Sequence, residues 1–121
     1  MEYKGLDVIG KMYPELRDNV EKLRQYIKGA GLTTGDLIDI QHAAASTMIS
    51  EAQLRQIFDI GVELGLFTRM YRLQCSIHGG FICEQNEPFD LSHPIFCDLC
   101  GEEHEFTQYD VCEAYRIDVI L

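Results

Sequence analysis

Apolar residues in the first part of the chain recur with a helical period. Leu16, Val20, Leu23 and Ile27 stand four, three and four apart, the stripe of an amphipathic helix that Pro14 opens and Gly29 closes. Its outer face carries Arg17, Lys22, Arg24 and Lys28 among Glu15, Asp18 and Glu21. Residues 3–13, with Tyr3, Leu6, Val8, Ile9 and Met12, fit either a short helix or a packed extension. Thr33 with Asp36 is a weak form of capping box, which predicts a second helix striped by Leu37, Ile40 and Ala44 and ending at Ala45-Ser46-Thr47. Ser50 with Gln53 is a fuller capping box, and Ile49 with Leu54 a hydrophobic staple. They predict a third helix through Ile57, Phe58, Gly61 and Leu64 that stops at Gly65. From Phe67 the period falls to two, with Phe67, Arg69, Tyr71 and Leu73 alternating against their neighbours as in a strand.

After residue 74 the pattern changes again. Phe81-Ile82-Cys83, Pro94-Ile95-Phe96 and Glu105-Phe106 are strand-like, residues 85–93 read as a polar hairpin loop, and Tyr115, Ile117, Val119 and Leu121 mark a closing strand from Cys112. The expected class is α+β: a helical domain over residues 1–74 and a small β module over 75–121.

All five cysteines lie in that second part. Cys75-Ser76-Ile77-His78-Gly79 and Cys97-Asp98-Leu99-Cys100-Gly101 form two ligand pairs of the same spacing, as in zinc ribbons. Two intervening residues let the backbone fold back so that both side chains of a pair face one point. The following glycine permits the positive φ that directs amide N–H groups at the sulfurs. The expected cofactor is one structural zinc ion on Cys75, His78, Cys97 and Cys100, with Cys83 or His104 as alternatives to His78 at the histidine position. Reduced thiols without metal are the competing reading. A thioredoxin-like role for Cys97 and Cys100 lacks its βαβ setting. Cys83 and Cys112 otherwise read as buried thiols, and His42 and His93 as surface or helix-end residues.

Charge sharpens the division. Residues 1–74 carry nine Lys/Arg against ten Asp/Glu, whereas residues 75–121 carry Arg116 alone against ten acidic residues. A surface for nucleic acid needs cations to displace phosphate counterions, and the second part has almost none. The first residues, Met1-Glu2-Tyr3-Lys4-Gly5-Leu6-Asp7, lack the basic start and apolar run of a secretory signal. No apolar run approaches the roughly 20 residues needed to cross a bilayer, and the two observations together lead to the expectation of a cytoplasmic protein with no membrane association.

The order helix, helix, turn, helix, strand is that of a winged helix–turn–helix. The run ISEAQLRQIFDIGVELGLFTRMYRLQC resembles the recognition helix and first wing strand of that superfamily, a resemblance spanning residues 14–74. A generic helical bundle with one strand is the plainer alternative. The resemblance implies a two-stranded wing, yet the first wing strand runs straight into Cys75, so its partner must come from the second part or be absent. A winged helix joined to a zinc ribbon is similar to basal transcription factors and bacterial regulators. Residues 50–83 also resemble accessory modules of prokaryotic conflict and defence systems.

No enzyme is expected. The H-x-E that accompanies P-C-x-x-C in zinc deaminases is missing, and His104-Glu105 is followed by Phe106-Thr107-Gln108 rather than by a second histidine. No glycine-rich phosphate loop or G-x-S-x-G occurs. Two classes remain. In one the chain is a zinc-binding accessory or adaptor protein that docks on a basic protein partner. In the other it is a DNA-binding regulator that uses residues 50–64 as recognition helix. Glu51, Asp59 and Glu63 against Arg55 make that helix repel phosphate, although Gln53 and Gln56 suit base edges. The charge favours the accessory reading.

Overall fold

Capping groups set where the helices begin and end. The computed structural model describes residues 5–121, so the expectation for Tyr3 lies outside the described residues. Within 3–13 a helix forms, α1 (Leu6–Met12), burying Leu6 and Ile9. A 3₁₀ turn at Pro14–Leu16 leads into α2 (Arg17–Gly29), whose stripe of Val20, Leu23 and Ile27 is buried as predicted. The terminator of α2 is Gly31 rather than Gly29: Gly31 has φ 69°, and the Leu32 amide donates to the Ile27 carbonyl at 3.1 Å.

The second helix starts later than expected. Asp36 accepts from the Thr33 amide at 2.8 Å, but this pair closes a turn instead of capping a helix. A short strand follows, β1 (Leu37–Asp39), and α3 (Ile40–Thr47) begins only where the Asp39 carboxylate accepts from the His42 amide at 3.0 Å. The reason is tertiary. The segment before α3 is drawn into a ladder, with Gly35 donating to the Ile117 carbonyl and Ile117 to that of Asp36. Met48 ends α3 in the left-handed region at φ 62°.

The third predicted helix is α4 (Glu51–Glu63), capped by Ser50, which accepts from the Gln53 amide at 3.1 Å. Its end is a Schellman motif, with Leu66 donating to the Gly61 carbonyl and Gly65, at φ 78°, to that of Val62.

Among the described residues the strands are, in order, β1, β2 (Phe67–Gln74), β3 (Phe81–Gln85), β4 (Ile95–Cys97), β5 (Glu102–His104) and β6 (Val111–Ile117). One sheet runs β1-β6-β2-β3, and β4 pairs with β5 in a second. β3 is therefore the antiparallel partner of β2, with Leu73 opposite Cys83, and residues 85–93 join strands of different sheets instead of closing a hairpin. Along β2 the buried residues are Phe67, Met70 and Leu73, not one alternating face. Phe67 and Leu73, six residues apart and so on one face, belong to two separate cores, and the buried Met70 lies on the other face.

Two compact units result. The first comprises the described residues up to Thr68 together with Tyr115–Leu121, and the second comprises Arg69–Ala114. The division at Thr68/Arg69 falls inside β2, whereas the boundary read from the sequence, after residue 74, lies at the end of that strand, and Tyr115–Leu121 groups with the first unit. In that unit α1, α2, α3 and α4 contribute Ile9, Leu23, Ala43, Leu54, Ile57 and Phe58 to one core with Phe67 and Tyr115. Phe58 stacks on Tyr115 at 4.3 Å between ring centroids and meets Phe67 edge-on at 5.1 Å. The second unit has a core of only Leu73, Cys75, Cys97 and Phe106, fringed by Ile82, Phe89, Leu91, Ile95 and Val111. None of the described helices is long and apolar enough to cross a membrane.

Candidate metal centre

Each ligand pair sits in the turn of an antiparallel hairpin. Cys75 to Gly80 connects β2 to β3, and Cys97 to Gly101 connects β4 to β5. The two turns repeat one geometry: Gly79 donates to the Cys75 carbonyl at 2.7 Å and Gly101 to the Cys97 carbonyl at 2.8 Å. Both glycines have φ 75°, a conformation that a side chain would strain. The glycine amides therefore bind carbonyls, not sulfurs. At the first turn it is the Ile77 and His78 amides that reach the Cys75 sulfur.

Cys75, Cys97, Cys100 and His104 bring one donor atom each to within 4.8 Å of one another, three cysteines and a histidine in a group able to hold one metal ion. Cys75 and Cys97 are fully buried. The Cys75 and Cys100 sulfurs are 3.5 Å apart. His78 is not in that set of four, but its Nδ1 lies 3.4 Å from the Cys100 sulfur and 3.7 Å from the Cys75 sulfur. Tetrahedral zinc, with bonds of about 2.3 Å to sulfur and about 2.0 Å to nitrogen, separates two sulfurs by about 3.8 Å and sulfur from nitrogen by about 3.5 Å. The triangle of Cys75, Cys100 and His78 has edges of that length.

His104 enters through strand register. It stands opposite Ile95 in the ladder in which Cys97 faces Glu102, so Cys97 and His104 project to one side of the β4–β5 hairpin. Its Nδ1 lies 3.3 Å from the Glu105 carbonyl, which assigns that nitrogen the proton and leaves Nε2 as the ligand atom. His104 Nε2 is buried and has no hydrogen-bond partner. Its Phe106 neighbour packs against the ring at 4.2 Å between centroids.

The electrostatics are those of crowded thiols. A hydrogen bond from His78, above the opposing effect of burial, draws the Cys75 thiol down to about 6. Burial, followed by the neighbouring Cys75 and Cys97 sulfurs, pushes Cys100 up to about 12. Proximity of the Cys97 sulfur raises His104 against the effect of burial. A thiolate forms readily at Cys75, whereas one at Cys100 needs a cation to compensate it. Three soft sulfurs and an imidazole are the donor set of structural zinc sites.

Of the residues singled out from spacing, Cys75, Cys97 and Cys100 converge on one point and His78 touches two of them. Cys83 lies outside the group on exposed β3, and burial followed by Asp98 raises its thiol. The Cys112 sulfur is 3.8 Å from Gln74 Oε1. His42 shares a 2.6 Å hydrogen bond with the Tyr26 hydroxyl. His104 has no partner at ligand spacing in the sequence, and only the register of a hairpin closed on Gly101 reveals it. No protein-family profile, curated protein or solved structure matches this chain.

Proposed function

We propose that this protein is a non-enzymatic, zinc-stapled adaptor that docks on a basic protein partner. In this reading one zinc ion is held by Cys75, Cys97, Cys100 and a histidine. It fills a closed coordination shell and contributes folding free energy, not chemistry.

The observation that carries the docking role is the surface beside the centre. The tips of both ligand turns are apolar and exposed, Ile77 at 71% and Leu99 at 45%, and Phe81 and Phe96 of the adjoining strands are exposed as well. They belong to a unit with Arg69 and Arg72 against nine acidic residues. Apolar anchors within an acidic field suit a partner that presents an apolar contact ringed by lysine or arginine.

The first unit supports a winged-helix-like scaffold. Its helices are followed by β2, and β6 lies beside β2 in the sheet as the second strand of a wing would. The chain between those strands, residues 75–110, is the metal module itself, without a lysine or arginine. The competing reading, a DNA-binding regulator, rests on α4. The shallow exposed face there is lined by Arg55, Gln56, Asp59 and Glu63, whose acidic members oppose phosphate.

Affinity capture with the wild-type chain and with an Ile77→Ser/Leu99→Ser variant tests the adaptor reading. The expected result is a basic partner retained by the wild type and lost by the variant at unchanged zinc content, with no salt-dependent shift of duplex DNA. Nanomolar binding to a defined duplex at physiological salt overturns it in favour of the regulator.

A further inference from the structure

The centre contains more donors than a tetrahedral ion uses. Three are thiols. The fourth vertex has two claimants, and each is supported by its own observation. His78 occupies in its turn the place that Cys100 occupies in the other, after the same two-residue spacing and before a glycine of the same φ. Its Nδ1 makes ligand-like edges of 3.4 and 3.7 Å with two of the thiols. His104 belongs to the four-donor group, and its Nε2 is buried with no hydrogen-bond partner while Nδ1 is engaged by a backbone carbonyl. A buried imidazole nitrogen without a partner is costly unless something outside the protein binds it, and an ion does so.

We propose that His78 and His104 are alternative ligands at one vertex, so that Cys75, Cys97 and Cys100 hold the ion permanently while either imidazole completes the shell. This rests on the zinc reading above. The two histidines differ in setting: His78 lies on an exposed turn next to Ile77, whereas His104 is half-buried against Phe106. The outer turn can therefore release its histidine without emptying the site. Loss of both would leave three thiolates and water, a weaker shell open to exchange.

Cobalt(II) binding to the full chain distinguishes these cases, read by the visible absorption of the tetrahedral ion and by competition with a chelator. His78→Ala and His104→Ala should each bind one cobalt ion with a tetrahedral spectrum and with affinity within about tenfold of wild type. The double variant should lose about 100-fold or more, roughly one ligand's share of a structural site. In the His78→Ala protein loaded with zinc, the imidazole ¹⁵N spectrum should show His104 Nε2 bound to metal. If either single variant falls as far as the double, or if His104 stays unbound in His78→Ala, the shared vertex is wrong while the metal centre stands. If wild type binds no metal at all, the metal reading itself fails and the shared vertex with it.

Discussion

At the scale of single residues, Asp118 shows how a side chain with no part in the centre ties down the first unit. Its carboxylate accepts from the Thr68 hydroxyl at 2.5 Å and from Arg116 Nε at 2.9 Å, and Arg116 also donates to Thr68 at 3.2 Å. Burial raises its pKa, but the hydrogen bonds from Thr68 and Arg116 together outweigh burial and hold the carboxyl below its usual range. A group whose folded pKa is depressed adds stability above its unfolded pKa, about 3.9 for aspartate, and that stability is lost as pH falls through the folded value. Asp118→Asn should therefore melt below wild type at neutral pH, and the difference should shrink as pH drops below about 4, followed by thermal denaturation across the pH range. A difference independent of pH would show that the carboxylate charge is not what stabilises this corner. The residues of the centre were legible to different degrees. Cys75, Cys97 and Cys100 could be read from spacing because a ligand turn is a local object. His104 was visible only as an alternative, because its approach depends on β4–β5 pairing and not on distance along the chain.

At the scale of elements, α4 and β2 approach closely where Gly61 faces the Phe67 ring. A Cβ on Gly61 would lie 2.4 Å from the Phe67 ring, which is itself held edge-on against Phe58. Gly61→Ala gains about 1 kcal/mol of helix propensity, yet overpacking a core of this kind costs about 1–3 kcal/mol. The variant should be destabilised by about 1 kcal/mol in denaturant unfolding, and a stabilised variant would mean that the ring relaxes freely. The elements read correctly were those with local signals: the α2 stripe, the Ser50 cap with the Ile49–Leu54 staple, Gly65 and the strand from Phe67. Those misread were governed from a distance. Thr33 and Asp36 have the chemistry of a cap, but pairing with β6 makes the following residues a strand. In the same way β3 takes β2 as its partner, a choice that the polar loop at 85–93 gave no means to foresee.

At the scale of the whole molecule, the second unit is the one that needs a staple. Its core is two apolar side chains and two cysteines, too little to hold more than forty residues against chain entropy. In the proposed reading a zinc ion on Cys75, Cys97, Cys100 and a histidine performs that task. The α+β class was legible from the switch of hydrophobic period, and the acidic character of the second part from composition alone. That Tyr115–Leu121 returns to the first unit was not legible, since alternation marks a strand without naming its neighbours. The fold of the second unit turns on the metal in this reading. Elemental analysis of the chain purified without added metal, paired with hydrogen exchange before and after chelation, tests it most directly. One zinc ion per chain is expected, with loss of protection across residues 69–114 when zinc is stripped or Cys100 is replaced by serine. A metal-free chain whose residues 69–114 are equally protected with and without chelator would contradict that expectation.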